Sequence, residues 1–183
     1  MAIYTNGRWE NVDGKFMVAR SSKLKASETG HLYDLIDTTN DVEQGSNVKV
    51  GAFTGNGLQE RTALTPAITD QIVFVCDTGL LYETAYKSDQ FEWKYVNKAN
   101  RDFRAYAVEK DDVFGVSDYG FTTVANDVIA KGDYVVVDGA RKWKTVDTEP
   151  DKTQYGFIGQ VIGFEKYQYD TVVLVNVIQN VQL

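Results

Sequence analysis

Short apolar runs rich in β-branched and aromatic residues, none longer than eight, fill the last third of the chain, and several end at glycine turns. Residues 133–137 (Asp-Tyr-Val-Val-Val) run into Asp138-Gly139, and residues 142–146 follow as the returning arm of a hairpin. Residues 157–162 and 171–178 are two further runs of the same kind. Asp-Gly and Asn-Gly supply the positive φ that tight hairpin turns demand. Strands at this spacing predict a mainly β chain: a small β-barrel or sandwich, with a hairpin-rich N-terminal part and at most one or two short helices.

The earlier residues carry the same signals more sparsely. Residues 3–5 lead to Asn6-Gly7, residues 8–10 follow, and a second turn stands at Asp13-Gly14, which together predict a short hairpin. Residues 16–19 are apolar, and the polar, basic stretch 21–27 reads as a linker or extended arm. Strands are expected at 31–36, at the end of 41–50, at 72–76 (a continuous apolar run), at 103–108 with its period of two, and at 113–116. The best helical stretch is 82–98. Residues 1–30 are therefore set apart as an N-terminal hairpin or arm, with an integral strand pair as the competing reading. Residues 31–183 form a β-rich body, divisible into two intertwined subdomains at about 31–110 and 111–183. An internal echo runs through that body. Asn40-Asp41-Val42 leading to Gly45 and a strand resembles Asn126-Asp127-Val128 leading to Gly132 and a strand, once one residue is added before the glycine. Two ordinary turns of similar chemistry would produce this, and so would a duplication.

Composition limits the function classes. The net charge of −7 repels phosphate backbones, so nucleic-acid binding is not expected. The single cysteine, Cys76, sits in an apolar run and reads as a small buried hydrophobe. The N-terminus has no basic start followed by a long apolar core, and no apolar stretch reaches the roughly 18 residues that span a bilayer, so a chain made and folded in a cytoplasm, with no membrane partner, is expected.

Catalytic signals are thin. The only histidine, His31, stands beside Gly30 with no partner in a recognisable frame and reads as a surface or strand-end residue. One Cys and one His do not make a zinc site. Asp111-Asp112 and the acidic stretch 147–151 lack the glycine-centred spacing of a calcium loop and read as solvated turns. Residues 51–57 contain three glycines without the Lys-Ser or Lys-Thr of a phosphate cradle and read as a loop. No cofactor, metal or catalytic residue is assigned, and the chain is read as non-enzymatic. Aromatic residues in polar surroundings are the one feature of a binding surface: Trp9, Trp93, Trp143, Tyr167 and Tyr169. Trp143, Tyr167 and Tyr169 are the candidate aromatic surface, since the two tyrosines share one face of a strand.

A run of short motifs adds a resemblance. A Val-rich strand (Gln71 to Cys76), a variable acidic and aromatic stretch (residues 81–91), Asn97-Lys98-Ala99, Arg104-Ala105-Tyr106 and Lys110-Asp111-Asp112-Val113-Phe114 follow one another. In this the chain resembles the head decoration (capsid cement) proteins of tailed bacteriophages that infect Gram-positive bacteria. The likeness extends over about residues 38–180, with Asp41 to Val50 and Glu60-Arg61 to Pro66 upstream and Gly156 to Ile162 and Thr171 to Asn176 downstream. Asn100 and Asp111 stand where that family tends to have Gly, and both residue types tolerate positive φ.

The resemblance implies a virion structural protein, made in a host bacterial cytoplasm, that binds the outer surface of the major capsid protein lattice and stabilises the head. Self-association, as a trimer for example, is compatible with this. The basic residues of the N-terminal arm, Lys23 and Lys25, with Arg8 and Trp9, are the expected capsid contacts on an otherwise acidic chain. The alternative reading is a carbohydrate-binding or head-fibre module using the aromatic surface.

Overall fold

A computed structural model of the chain describes residues 3–4, 17–24, 31–56, 59–77, 95–125, 128–167 and 170–183. The described residues are mainly β. In chain order the strands are β1 (Ile3–Tyr4), β2 (Ala19–Lys23), β3 (Leu32–Ile36), β4 (Val42–Glu43), β5 (Asn47–Phe53), β6 (Arg61–Leu64), β7 (Val73–Val75), β8 (Val96–Asn97) and β9 (Asp102–Ala107). Then come β10 (Val113–Ser117), β11 (Phe121–Thr123), β12 (Val128–Ile129), β13 (Tyr134–Val137), β14 (Trp143–Val146), β15 (Phe157–Tyr167) and β16 (Asp170–Asn180). A single 3-10 turn, residues 118–120, separates β10 from β11.

Strands β3-β6-β5-β7-β9 close into a barrel. The period-two pattern explains its interior: Leu35, Val48, Ala63, Val73, Val75, Phe103 and Ala105 point inward from successive strands and are buried together. The remaining long strands form a second sheet in the order β11-β14-β13-β15-β16-β10-β2. Its buried face gathers Phe121, Val135, Val137, Trp143, Phe157, Val161, Val173, Val175 and Val177. Ile72, Phe74 and Val108 of the first barrel's segment join that second core, so the two units share packing.

The two pairing sets coincide. In the first barrel β3 pairs with β6 in parallel, and β5–β6, β5–β7, β7–β9 and β3–β9 are antiparallel. In the second, β11 pairs with β14 in parallel, and β13–β14, β13–β15, β15–β16 and β10–β16 are antiparallel. Taking β10 and β11 as one strand interrupted by the 3-10 turn, the topology is the same. The echoed segments sit at matching places: β4, a turn with Gly45 at φ 78° and β5 in one unit, and β12, a turn with Gly132 at φ 104° and β13 in the other. The echo is therefore a duplication at the level of topology.

Several expectations are corrected. Ser21–Lys23, read as linker, belong to β2, which pairs with β10, and Met17 and Val18 are fully buried. Met17, with Ala19 and Leu24 packed against the same cluster, thus joins the second core from within the N-terminal part. The helix expected over 82–98 does not reach its end: Val96–Asn97 form β8, antiparallel to β4, with the Asn97 amide donating to the Val42 carbonyl at 2.9 Å. Residues 78–94, which hold most of that stretch, lie outside the described residues. Gly51 is in β5 rather than in a loop, which begins at Thr54. Asp112, expected in a solvated turn, is buried, and its carboxylate accepts the Glu109 N–H at 2.8 Å.

Candidate functional site

Trp143, expected on an aromatic surface, is buried. Trp143 opens β14 opposite Val137 on one side and Phe121 on the other, and it is 0% exposed. Its ring stacks among Phe114, Phe157 and Phe74 with centroids 5.1, 5.2 and 6.4 Å away. The flanking lysines, Lys142 and Lys144, made the segment look polar, but period two turns them away from the indole. Tyr167 closes β15 opposite Asp170; its side chain and all of Tyr169 lie outside the described residues, as do Trp9 and Trp93. Arg8 and Lys25 are likewise outside them. Lys23 pairs with Val113 at the end of β2, and only its backbone is described.

Trp143 instead belongs to a joint between the two units. The tip of the β13–β14 hairpin (residues 138–143) reaches the turn before β5. The Asn47 N–H donates to the Arg141 carbonyl at 3.1 Å, and the Asn47 amide donates to the Lys142 carbonyl at 2.7 Å. Arg141, at φ 67°, donates to the Thr65 hydroxyl and pairs with Asp37 at 2.6 Å. Burial raises the Asp37 carboxyl, but N–H donors from Asn40 and Thr39 and the Arg141 guanidinium outweigh it and hold the group below its usual 3.8. At the far end, Asn180 accepts the Ile72 N–H and donates to the Ile72 and Val108 carbonyls, at 2.8–2.9 Å. These contacts make the joint a scaffold rather than a reactive centre.

Titratable groups also meet away from the joint. His31, at the turn before β3, has Glu109 3.6 Å from its Nε2, a partner far away in sequence. Asp34, Glu60 and Asp102 gather on the first barrel. Burial and the Glu60 charge raise the Asp34 carboxyl, and burial, a Glu60 hydrogen bond and the charges of Glu60 and Asp34 raise that of Asp102. Thr54 donates its hydroxyl to Glu60. Among the described residues no group of three His, Cys, Asp or Glu side chains is arranged to hold a metal ion. Cys76 is half-buried against the second core. No helix among the described residues is long and apolar enough to cross a membrane.

Two exposed apolar features among the described residues are built by tertiary structure. The C-terminal tail lies along the segment after β6: the Gly156 N–H donates to Ile68, the Val181 N–H to Gly156 and the Leu183 N–H to Thr69, at 2.8–3.1 Å. This brings the backbones of Ile68, Val181 and Leu183 into one neighbourhood, and each side chain is 44–48% exposed. The second is a shelf on the outer face of the second sheet. Arg20, Gly115, Leu174 and Gly163 align across β2, β10, β16 and β15. Gly115 lowers its floor, leaving a hollow of about 270 Å³ bounded by Val113, Ile162, Leu174 and the Arg20–Glu165 ion pair. Sequence reasoning missed both. Residues 68, 181 and 183 carry no joint signal, and glycines in separate strands announce no common row. No family model matches the chain, and no curated protein matches it.

Proposed function

We propose that the protein is a virion structural protein that binds the outer surface of a major capsid lattice and stabilises the head. The observation that carries this reading is the backbone at Asn100 and Asp111, which stand at φ 60° and 72°. These are the two positions where the resembled decoration proteins tend to have glycine, and both turns keep the left-handed conformation that glycine serves there. The other motif residues have matching structural work. Asn97 ties β8 to β4, Lys98 pairs with Asp41 at 2.7 Å, Ala105 is buried inside the first barrel, and Phe114 packs 4.5 Å from Phe74.

A barrel and a sheet locked by shared packing present fixed faces, and many weak identical contacts on a lattice add up to strong attachment. Ile68, Val181 and Leu183, exposed and brought near one another by the C-terminal tail, are proposed as the apolar part of that contact. Arg8, Trp9, Lys23 and Lys25 are proposed as additional contacts. Removing residues 1–27 would take Met17 and Val18 out of the core. Charge-removing substitutions at Arg8, Lys23 and Lys25 are the cleaner probe.

The test is co-sedimentation of purified protein with undecorated heads. Saturable binding that falls at least tenfold in Ile68→Asp/Val181→Asp is expected. Absence of saturable binding by the unsubstituted protein refutes the reading.

A further inference from the structure

The duplicated topology provides an internal comparison. Where β11 pairs with β14, the facing residues are Phe121 and Trp143, both 0% exposed, and the interior is filled by rings. Where β3 pairs with β6, the facing residues are Leu35 and Arg61. Matched through the Gly45 and Gly132 turns, Val50–Ala63 answers Val137–Trp143, so a small alanine stands at the place where the second unit has a buried indole, and Arg61 lies two residues before it in β6. Beside Arg61 lies a cavity of about 220 Å³ at one end of the first barrel. All five barrel strands line it, through Tyr33, Val50, Arg61, Val73 and Ala107. The open mouth of a small barrel is a common place for a ligand.

The lining divides into two chemistries. Tyr33 and Val50 pack against the barrel core, and with Val73 and Ala107 they give an apolar wall. Arg61 and the rim residues give polar groups. The Lys49 ammonium is neutralised by Asp70 at 2.7 Å, and the Gln182 amide donates to the same carboxylate oxygen at 3.1 Å. Arg61 differs: among the described residues it has no carboxylate partner, and its guanidinium lies 3.9 Å over the Phe53 ring. Stacking holds one face of the guanidinium and leaves its N–H edge for a planar two-oxygen acceptor. The Tyr33 hydroxyl and the Gln71 amide also have no hydrogen-bond partner among the described residues, and both line the cavity. The acidic groups Asp34, Glu60 and Asp102 do not line it.

We propose that this barrel mouth binds a carboxylate carried on a compact apolar body. Arg61 takes the carboxylate edge-on, and Tyr33, Val50, Val73 and Ala107 enclose the apolar part. The same chemistry is offered by a free small acid and by the C-terminal residue of a peptide. The inference stands independently of the capsid reading.

The experiment is a ¹H–¹⁵N NMR titration of the full chain with benzoate and with N-acetylphenylalanine, each against its amide. Saturable shifts at the amides of residues 33, 50, 61, 73 and 107 are expected, with each amide compound at least tenfold weaker. Binding of benzoate as tight as that of N-acetylphenylalanine indicates a free acid. Preference for the amino-acid derivative indicates a peptide terminus. Arg61→Met should weaken binding at least tenfold. Should that variant fail to fold, Ala107→Leu, which fills the cavity and keeps Arg61, should block binding. If neither acid produces saturable shifts at these residues, if acid and amide bind alike, or if a folded Arg61→Met or Ala107→Leu variant binds as tightly as the original, the proposal is wrong.

Discussion

Trp143 donates its indole N–H to the carbonyl of Gly45 at 2.7 Å, so the core ring of the second sheet closes the turn that opens β5 of the barrel. Gly45 itself donates to Val75 at 2.8 Å, and a Cβ in its place would stand 2.8 Å from the Val116 side chain. The turn, the barrel and the neighbouring core are therefore fitted to one another at a single residue.

That fit separates ring from hydrogen bond. Trp143→Phe keeps most of the packing but leaves the Gly45 carbonyl without its donor, which should cost about 1–3 kcal/mol. Trp143→Ala also empties a space among Phe74, Phe114 and Phe157 and should cost about 3–5 kcal/mol. Urea unfolding of the two variants distinguishes them. Equal costs would mean that the ring packing contributes nothing, and a Trp143→Phe variant as stable as the original would mean that the hydrogen bond contributes nothing.

The Asp37–Arg141 pair makes stability depend on acid. Its side chains are 7% and 14% exposed, and the Asp37 carboxyl is held below 3.8. A carboxyl depressed in the folded state stabilises above its unfolded value, and that contribution is lost as pH falls through the folded one. Unfolding free energy should therefore drop below about pH 4, and Asp37→Asn should remove this part of the drop. At pH 7 the same substitution leaves a buried guanidinium without its counter-charge and should cost about 3 kcal/mol or more. Denaturant melts at pH 7 and pH 3 on both proteins check the sign.

Asp102 should behave in the opposite sense. Partial desolvation of this exposed side chain, the Glu60 hydrogen bond and the charges of Glu60 and Asp34 raise its carboxyl, so the charged form is the unfavourable one in the fold. The penalty is complete above the raised folded value and fades as pH falls towards 3.8. Asp102→Asn should raise Tm at pH 7 and lose its advantage near pH 3. A lower Tm at pH 7 would contradict the arrangement.

The left-handed turns at Asn100 and Asp111 give a backbone test. The Asn100 N–H donates to Asp37 and the Asp111 N–H to Val177, each at 2.8 Å, so neither turn can relax without losing a bond. Alanine at either position should be less stable than glycine by about 1 kcal/mol, because its Cβ crowds the carbonyl at positive φ. Thermal melts of the Gly and Ala variants at both sites measure it. Alanine variants as stable as the glycine ones would show that the turns tolerate any residue.

Much of the architecture was legible in the residues. Asp138-Gly139 marks the β13–β14 hairpin, and Gly139 has φ 82° there. The apolar runs of the last third became β13 to β16, and Asn100 and Asp111 were readable as turn residues because local sterics alone set their φ preference. These are properties of neighbouring residues, and a sequence states them directly. Which face of a strand is covered is a different matter. Period two puts Trp143 and Thr145 on one side of β14, but only the arrival of Phe74, Phe114 and Phe157 makes that side the interior. Ser21–Lys23 look like linker until β10 supplies backbone partners. The cavity beside Arg61 and the grouping of Ile68, Val181 and Leu183 likewise join residues from separate strands and from opposite ends of the body. Local chemistry set the strands and turns; burial was decided by long-range packing, because a side chain's environment depends on partners that lie outside its own stretch of chain.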